Sequence, residues 1–127
     1  MKNKKKVYFI TGGTGSFAKK LIKYLLKKKQ TKKIIIFSRD EYKQLQLKED
    51  ELINKNLSQI RFLIGDVRDE DRLDFAIQDE IDTVIHAAAM KQVPATEYNP
   101  FEAIKTNIVG AQNVIQSCIK KNITCYF

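Results

Sequence analysis

TGGTGSFAKK, residues 11–20, is the stretch whose reading decides the fold. Gly12, Gly13 and Gly15 crowd into four positions, and the chain then passes at once into a lysine-rich helical pattern. Upstream, Lys6 to Ile10 is a short apolar run that reads as a buried strand. Downstream, Ser16 to Lys29 places Phe17, Leu21, Ile22, Leu25 and Leu26 on one helical face. A glycine-rich turn between a first strand and a first helix is where a doubly wound fold binds a dinucleotide. The turn presents backbone N–H groups, and the helix N-terminus carries partial positive charge; both suit a pyrophosphate. Glycine permits the tight bend and lets phosphate oxygens approach with no Cβ in the way. The spacing is Gly12-x-x-Gly15-x-x-Ala18. Its last position serves close packing of helix on strand, where alanine adds only a methyl group.

The rest of the chain repeats the alternation. Residues 33–38, KIIIFS, form a second apolar strand. Ser38 followed by Glu41 resembles a capping box, which starts a helix near Asp40. IRFLIG (60–65) is a third strand, DEDRLDFAIQ (69–78) a helix, and DTVIHAA (82–88) a fourth strand. Asn99-Pro100 with Glu102 supplies a cap, a first-turn proline and an acid, so a helix runs from there to about Lys121. ITCYF (123–127) begins a fifth strand. Strands apolar on both faces, alternating with helices, mean a parallel sheet covered on both sides. The expected architecture is α/β: a doubly wound parallel sheet of Rossmann type, order 3-2-1-4-5, truncated at strand five.

At 127 residues there is room for one domain, spanning 1–127. No run approaches 18 consecutive apolar residues, which argues against a membrane span. MKNKKK is basic, but the VYFI behind it is too short for a signal-peptide core, so the expected location is cytoplasmic. Cys118 and Cys125 form no CxxC pair and neighbour no histidine cluster, which argues against disulfides and a metal site. The formal net charge is +8, and no acidic residue precedes Asp40, whereas that segment carries twelve lysines and Arg39. Such a balance attracts phosphates. The lysines are scattered over a helix and a terminal arm with no interleaved aromatics, as a solvated face would be and a single-strand binder would not.

The end of the second strand selects between cofactors. An acid there accepts from the ribose 2′-OH of NAD, whereas an arginine accommodates the 2′-phosphate of NADP. Ser38, Arg39 and Lys43 can surround a phosphate, and a guanidinium suits bidentate contact with one. Asp40 could instead serve a 2′-OH, or Asp40 and Glu41 could do no more than favour a helix N-terminus. The balance of these residues favours NADP. His86, the sole histidine, lies in an apolar strand and reads as a core residue rather than a base.

Thr11-Gly12-Gly13-Thr14-Gly15 resembles the extended short-chain dehydrogenase/reductase superfamily. FSRDEYKQ (37–44), GDVRDEDRL (65–73), HAAAMKQVPATEYNP (86–100) and IKTNIVGAQNVI (104–115) together resemble the inverting UDP-N-acetylglucosamine 4,6-dehydratases of polysaccharide biosynthesis. The resemblance runs from about Val7 to Ile123. It implies that Gly12, Thr14, Gly15, Ser16 and Phe17 wrap the pyrophosphate of NADP, and that Ser38, Arg39, Asp40, Glu41 and Lys43 hold the adenosine ribose and its 2′-phosphate. Asp66 and Val67 would flank the adenine. Ala87 would let the backbone approach the cofactor, Lys91 would reach the cofactor and the edge of the sugar pocket, and Thr106 and Asn107 would line the substrate side. Such enzymes oxidise C4 of UDP-N-acetylglucosamine with bound NADP⁺; the ketone acidifies the C5 proton, water leaves from C6, and hydride returns to C6.

The Asp-Lys and Tyr-x-x-x-Lys pairs that the resemblance assigns to elimination and redox steps would lie beyond Phe127. The expectation is therefore a cofactor-binding N-terminal portion with no catalytic residue of its own, and a homo-oligomer only for a complete chain. Tyr24 to Lys28 spells Tyr-x-x-x-Lys, but on the first helix, behind the pyrophosphate turn. The competing expectations are a non-catalytic NADP-binding module, a basic nucleic-acid binder and a defunct gene fragment.

Overall fold

The computed structural model describes residues 5–12, 15–78, 80–87, 101 and 108–126. Five strands form one parallel sheet: β1 (Lys6–Thr11), β2 (Thr31–Ser38), β3 (Ile60–Ile64), β4 (Thr83–His86) and β5 (Thr124–Tyr126), in the order β3-β2-β1-β4-β5. The helices are α1 (Ser16–Leu26), α2 (Glu41–Lys48), α3 (Glu51–Lys55), α4 (Glu70–Ala76) and α5 (Gly110–Lys121). A 3-10 turn at Leu57–Gln59 leads into β3. Doubly wound architecture and strand order both agree with the sequence-based expectation.

The period-2 alternation of the strands builds two cores. Val7, Phe9, Ile35, Phe37 and Val84 point to one face, where Leu73 and Ala76 of α4 and Val114 and Cys118 of α5 cover them. Ile10, Ile34, Ile36 and Ile60 point to the other, under Ile22 and Leu25 of α1, Leu47 of α2 and Ile53 of α3. Most of these side chains are wholly buried, each contributing roughly 1.5–3 kcal/mol by leaving water. The Phe9 and Phe37 rings lie 5.6 Å apart, tilted by 33°.

Several details differ from the sequence reading. α1 ends at Leu26, not Lys29. Its buried stripe is Ala18, Ile22 and Leu25, whereas Phe17 is 63% exposed at the first turn. The burial of Ala18 fits its place in the glycine pattern, where the helix comes down onto the sheet. Asp40, rather than Ser38, caps α2: its Oδ1 accepts from the Lys43 amide at 3.1 Å. Ser38 is still part of β2, where sheet pairing holds its backbone extended. The first turns of the helix expected to start at Asn99-Pro100 lie mostly outside the described residues. From Ile108 it is seen as a π turn that passes into α5. α5 ends at Asn122, whose φ of 54° is left-handed, a conformation asparagine tolerates better than most residues. Lys121 closes the neighbouring α4 by donating to the carbonyls of Asp74 and Ile77. No helix among the described residues is long and apolar enough to cross a membrane.

Candidate dinucleotide site

All five strands run the same way, so their carboxyl ends share one edge. β1 sits centrally, flanked by β2 on one side and β4 on the other. The chain winds outward from β1 through β2 to β3, then crosses back to β4. The strand order therefore reverses between β1 and β4, and open α/β sheets bind ligands at such a topological switch point.

Gly12 follows β1 and has φ 67°, a left-handed conformation that a branched residue resists. Its amide donates to the Phe37 carbonyl at 2.8 Å, tying the turn to β2. Gly15 is the N-cap of α1, with φ −76° and ψ 170°, and no side chain among the described residues caps that end. A Cβ on Gly15 would meet nothing within 4 Å among the described residues. The left-handed requirement thus applies to Gly12, while Gly15 leaves an open approach to the uncapped amides of the first turn, where Ser16 and Phe17 sit. Amides at a helix N-terminus suit an anion such as a pyrophosphate by helix polarity. Gly13 and Thr14 lie outside the described residues.

The end of β2 brings the next group together. Ser38 is buried, and its hydroxyl accepts from Gln44 Nε2 at 2.8 Å; the same amide group donates to the Leu63 carbonyl at 2.9 Å. Gln44, itself buried, so fastens α2 to the ends of β2 and β3. Arg39 is half-exposed, with Nη1 3.7 Å from Asp66 Oδ2. Glu41 and Lys43 are exposed in the first turn of α2.

Asp66 follows β3 and accepts from both the amide and the guanidinium of Arg68. Partial burial works to raise its pKa, but the Arg68 hydrogen bonds and the charges of Arg68 and Arg39 outweigh this and hold the carboxyl below its ordinary range. Val67 is buried beneath α5. A Cβ on Gly110 would stand 2.6 Å from Val67 Cγ2, and Asn113 Nδ2 donates to the carbonyls of Val67 and Arg68 at 2.9 and 3.2 Å. α5 thus fixes the loop that carries Asp66.

Beside the glycine turn, Thr11 Oγ1 and His86 Nδ1 are 2.7 Å apart, and the Ala87 amide donates to both the carbonyl and the hydroxyl of Thr11. His86 is half-buried in this network. Lys91, Thr106 and Asn107, together with Glu97, Tyr98 and Glu102, lie outside the described residues. Tyr24 and Lys28 meet at the far end of α1, the ammonium 4.7 Å from the ring centroid. The structure thus gathers Gly12, Gly15, Ser16, Phe17, Ser38, Arg39, Asp40, Glu41, Lys43, Asp66, Val67 and Ala87 along one edge. Sequence reasoning missed Gln44, Arg68, Gly110 and Asn113. Asn113 left a signal: it stands with Gly110, Val114, Ser117 and Cys118 on the buried stripe of α5, a polar residue on an apolar face.

Residues 8–126 match the family described as polysaccharide biosynthesis protein. A Campylobacter jejuni protein named UDP-N-acetylglucosamine 4,6-dehydratase (inverting) is 54% identical over 123 residues, covering 97% of this chain and 35% of the relative. A Rickettsia bellii protein named UDP-glucose 4-epimerase is 50% identical over 115 residues, covering 88% and 32%. The crystal structure of Pen from Bacillus thuringiensis superposes with a TM-score of 0.84 at 45% identity, covering 97% of this chain and 36% of that one. The chain spans about a third of the length of the curated relatives it matches.

Proposed function

Because the chain belongs to the polysaccharide biosynthesis protein family, we propose that residues 1–127 are the NADP-binding Rossmann portion of an inverting UDP-N-acetylglucosamine 4,6-dehydratase. The observation that carries the cofactor choice is Arg39: a half-exposed guanidinium at the carboxyl end of β2, one strand away from the glycine turn. Distance along the sheet edge separates a pyrophosphate at Gly12–Phe17 from a ribose at Ser38–Lys43, as a bound dinucleotide requires. Asp40 is engaged in capping α2, which supports Arg39 and Lys43, rather than Asp40, as the residues that meet the ribose substituent.

When bound, NADP⁺ supplies the hydride acceptor for C4 of the sugar and the donor for C6. The chain's own residues do the holding. The turn at Gly12 and Gly15 admits the diphosphate against the α1 amides, and Asp66 and Val67 border the adenine. Thr11 and His86 fix the end of β4, so that Ala87 lets the backbone approach the cofactor. Lys91, Thr106 and Asn107 serve the nicotinamide and UDP-sugar side. The site takes neither nucleic acid nor membrane, and the protein works in the cytoplasm on a soluble sugar nucleotide.

The 50% identity to a relative named as a UDP-glucose 4-epimerase favours one other reading, the same portion of an epimerase. The test is a pair of grafts, in which residues 1–123 replace the matching third of each relative. Dehydratase function predicts that the Campylobacter graft retains NADP and converts UDP-N-acetylglucosamine to a product lighter by one water. Turnover by the Rickettsia graft alone, with product mass unchanged, would reverse the assignment.

A further inference from the structure

One carboxylate after β3 serves two guanidinium groups unequally. Asp66 Oδ1 accepts from the Arg68 amide at 2.9 Å, and Oδ2 accepts from Arg68 Nε at 3.0 Å and Nη2 at 2.7 Å. The same Oδ2 lies 3.7 Å from Arg39 Nη1. The Arg68 and Asp66 side chains are 24% and 25% exposed, whereas Arg39 is 51% exposed. Close bidentate pairing in a sheltered place is the stronger of the two, and a long contact at an exposed place is weak.

We propose that Arg68 is a specificity-positioning residue for the 2′-phosphate: by occupying the Asp66 carboxylate, it leaves Arg39 loosely held and able to turn to the phosphate. This deepens the NADP reading above and rests on it. A carboxylate within reach of Arg39 is also close to whatever anion Arg39 binds. Unmatched, it would compete for the guanidinium and repel the phosphate; Arg68 cancels both effects. The loop cannot relieve the conflict by moving away, because Asn113 holds the carbonyls of Val67 and Arg68. A merely structural Arg68 would alter the affinity of every adenosine ligand alike. A charge-cancelling Arg68 acts on those bearing a 2′-phosphate.

The test is calorimetric titration of the purified chain with adenosine 2′,5′-bisphosphate and with 5′-AMP, read as the ratio of the two affinities. Arg68→Gln should lower the preference for the bisphosphate about fivefold, the size of a modest coupling between sites. Arg68→Lys, which keeps the charge, should stay within about twofold of the parent. Asp66→Asn should raise the preference, and joining it to Arg68→Gln should cancel the loss. Circular dichroism melting checks that each variant is folded; if Arg68→Gln is not, Asp66→Asn carries the test by its raised ratio, with Arg68→Lys as the charge-preserving control. An unchanged ratio in folded Arg68→Gln, or one that does not rise in Asp66→Asn, overturns the role given to Arg68. A parent chain that does not distinguish the two ligands overturns the NADP reading as well.

Discussion

Thr11 and His86 face each other across β1 and β4, hydroxyl to Nδ1 at 2.7 Å. The Thr11 oxygen also accepts from the Ala87 amide, so the hydroxyl ties His86 to the end of β4. Burial favours the neutral imidazole and pushes its pKa below the ordinary value. The unfolded chain binds this proton near pH 6.5, the folded chain only at lower pH. Between those values the unfolded state holds more protons, so stability rises with pH. The contribution of His86 is complete above about pH 6.5 and is lost as pH falls through the folded value. Urea midpoints across that range should fall on acidification more steeply in the parent than in His86→Asn. Equal slopes would refute the neutral, buried assignment.

The two turn glycines should fail differently. Gly12→Val forces a branched residue to φ 67° and should cost about 1–3 kcal/mol of stability. Gly15→Val keeps an extended φ in open space, and should cost no more than about 1 kcal/mol, through a poorer helix cap. Its dinucleotide binding should nonetheless be lost, because the added side chain fills the phosphate approach. Melting and titration of both variants separate the effects. Retained binding in Gly15→Val would place the pyrophosphate elsewhere.

α5 should prove to be a clamp on the loop that carries Asp66. Gly110→Ala drives a methyl into Val67, and overpacking of this kind costs about 1–3 kcal/mol. Adding Val67→Ala should return part of that loss. Asn113→Leu leaves two carbonyls without their donor, each costing about 1–3 kcal/mol where water cannot replace it. Chemical denaturation checks all three; a Gly110→Ala variant as stable as the parent would mean that the loop yields freely.

The glycine turn, the strand order and the polar edge were legible because each rests on a local pattern: period-2 runs, helical spacing, and three glycines at one junction. The place of Arg39 was legible for the same reason, since it directly follows the second strand. Gln44, Arg68 and Asn113 were not, because their roles depend on partners 19 to 46 residues away, or on a carboxylate whose own surroundings only the fold defines. Ser38 shows the limit of a local motif. Its spacing to Glu41 fits a capping box, but sheet pairing keeps it in β2, and Asp40, two residues later, reaches the helix amides instead.

The most direct test of the account is calorimetric titration of the chain with NADP⁺ and NAD⁺, before and after Arg39→Ala. Hydrogen bonds to a charged group contribute about 1.5–3 kcal/mol, which corresponds to roughly ten- to hundredfold in affinity. NADP⁺ should therefore bind the parent chain at least about tenfold more tightly than NAD⁺, and Arg39→Ala should erase the difference while leaving NAD⁺ affinity nearly unchanged. Equal affinity for the two dinucleotides in both proteins would contradict it.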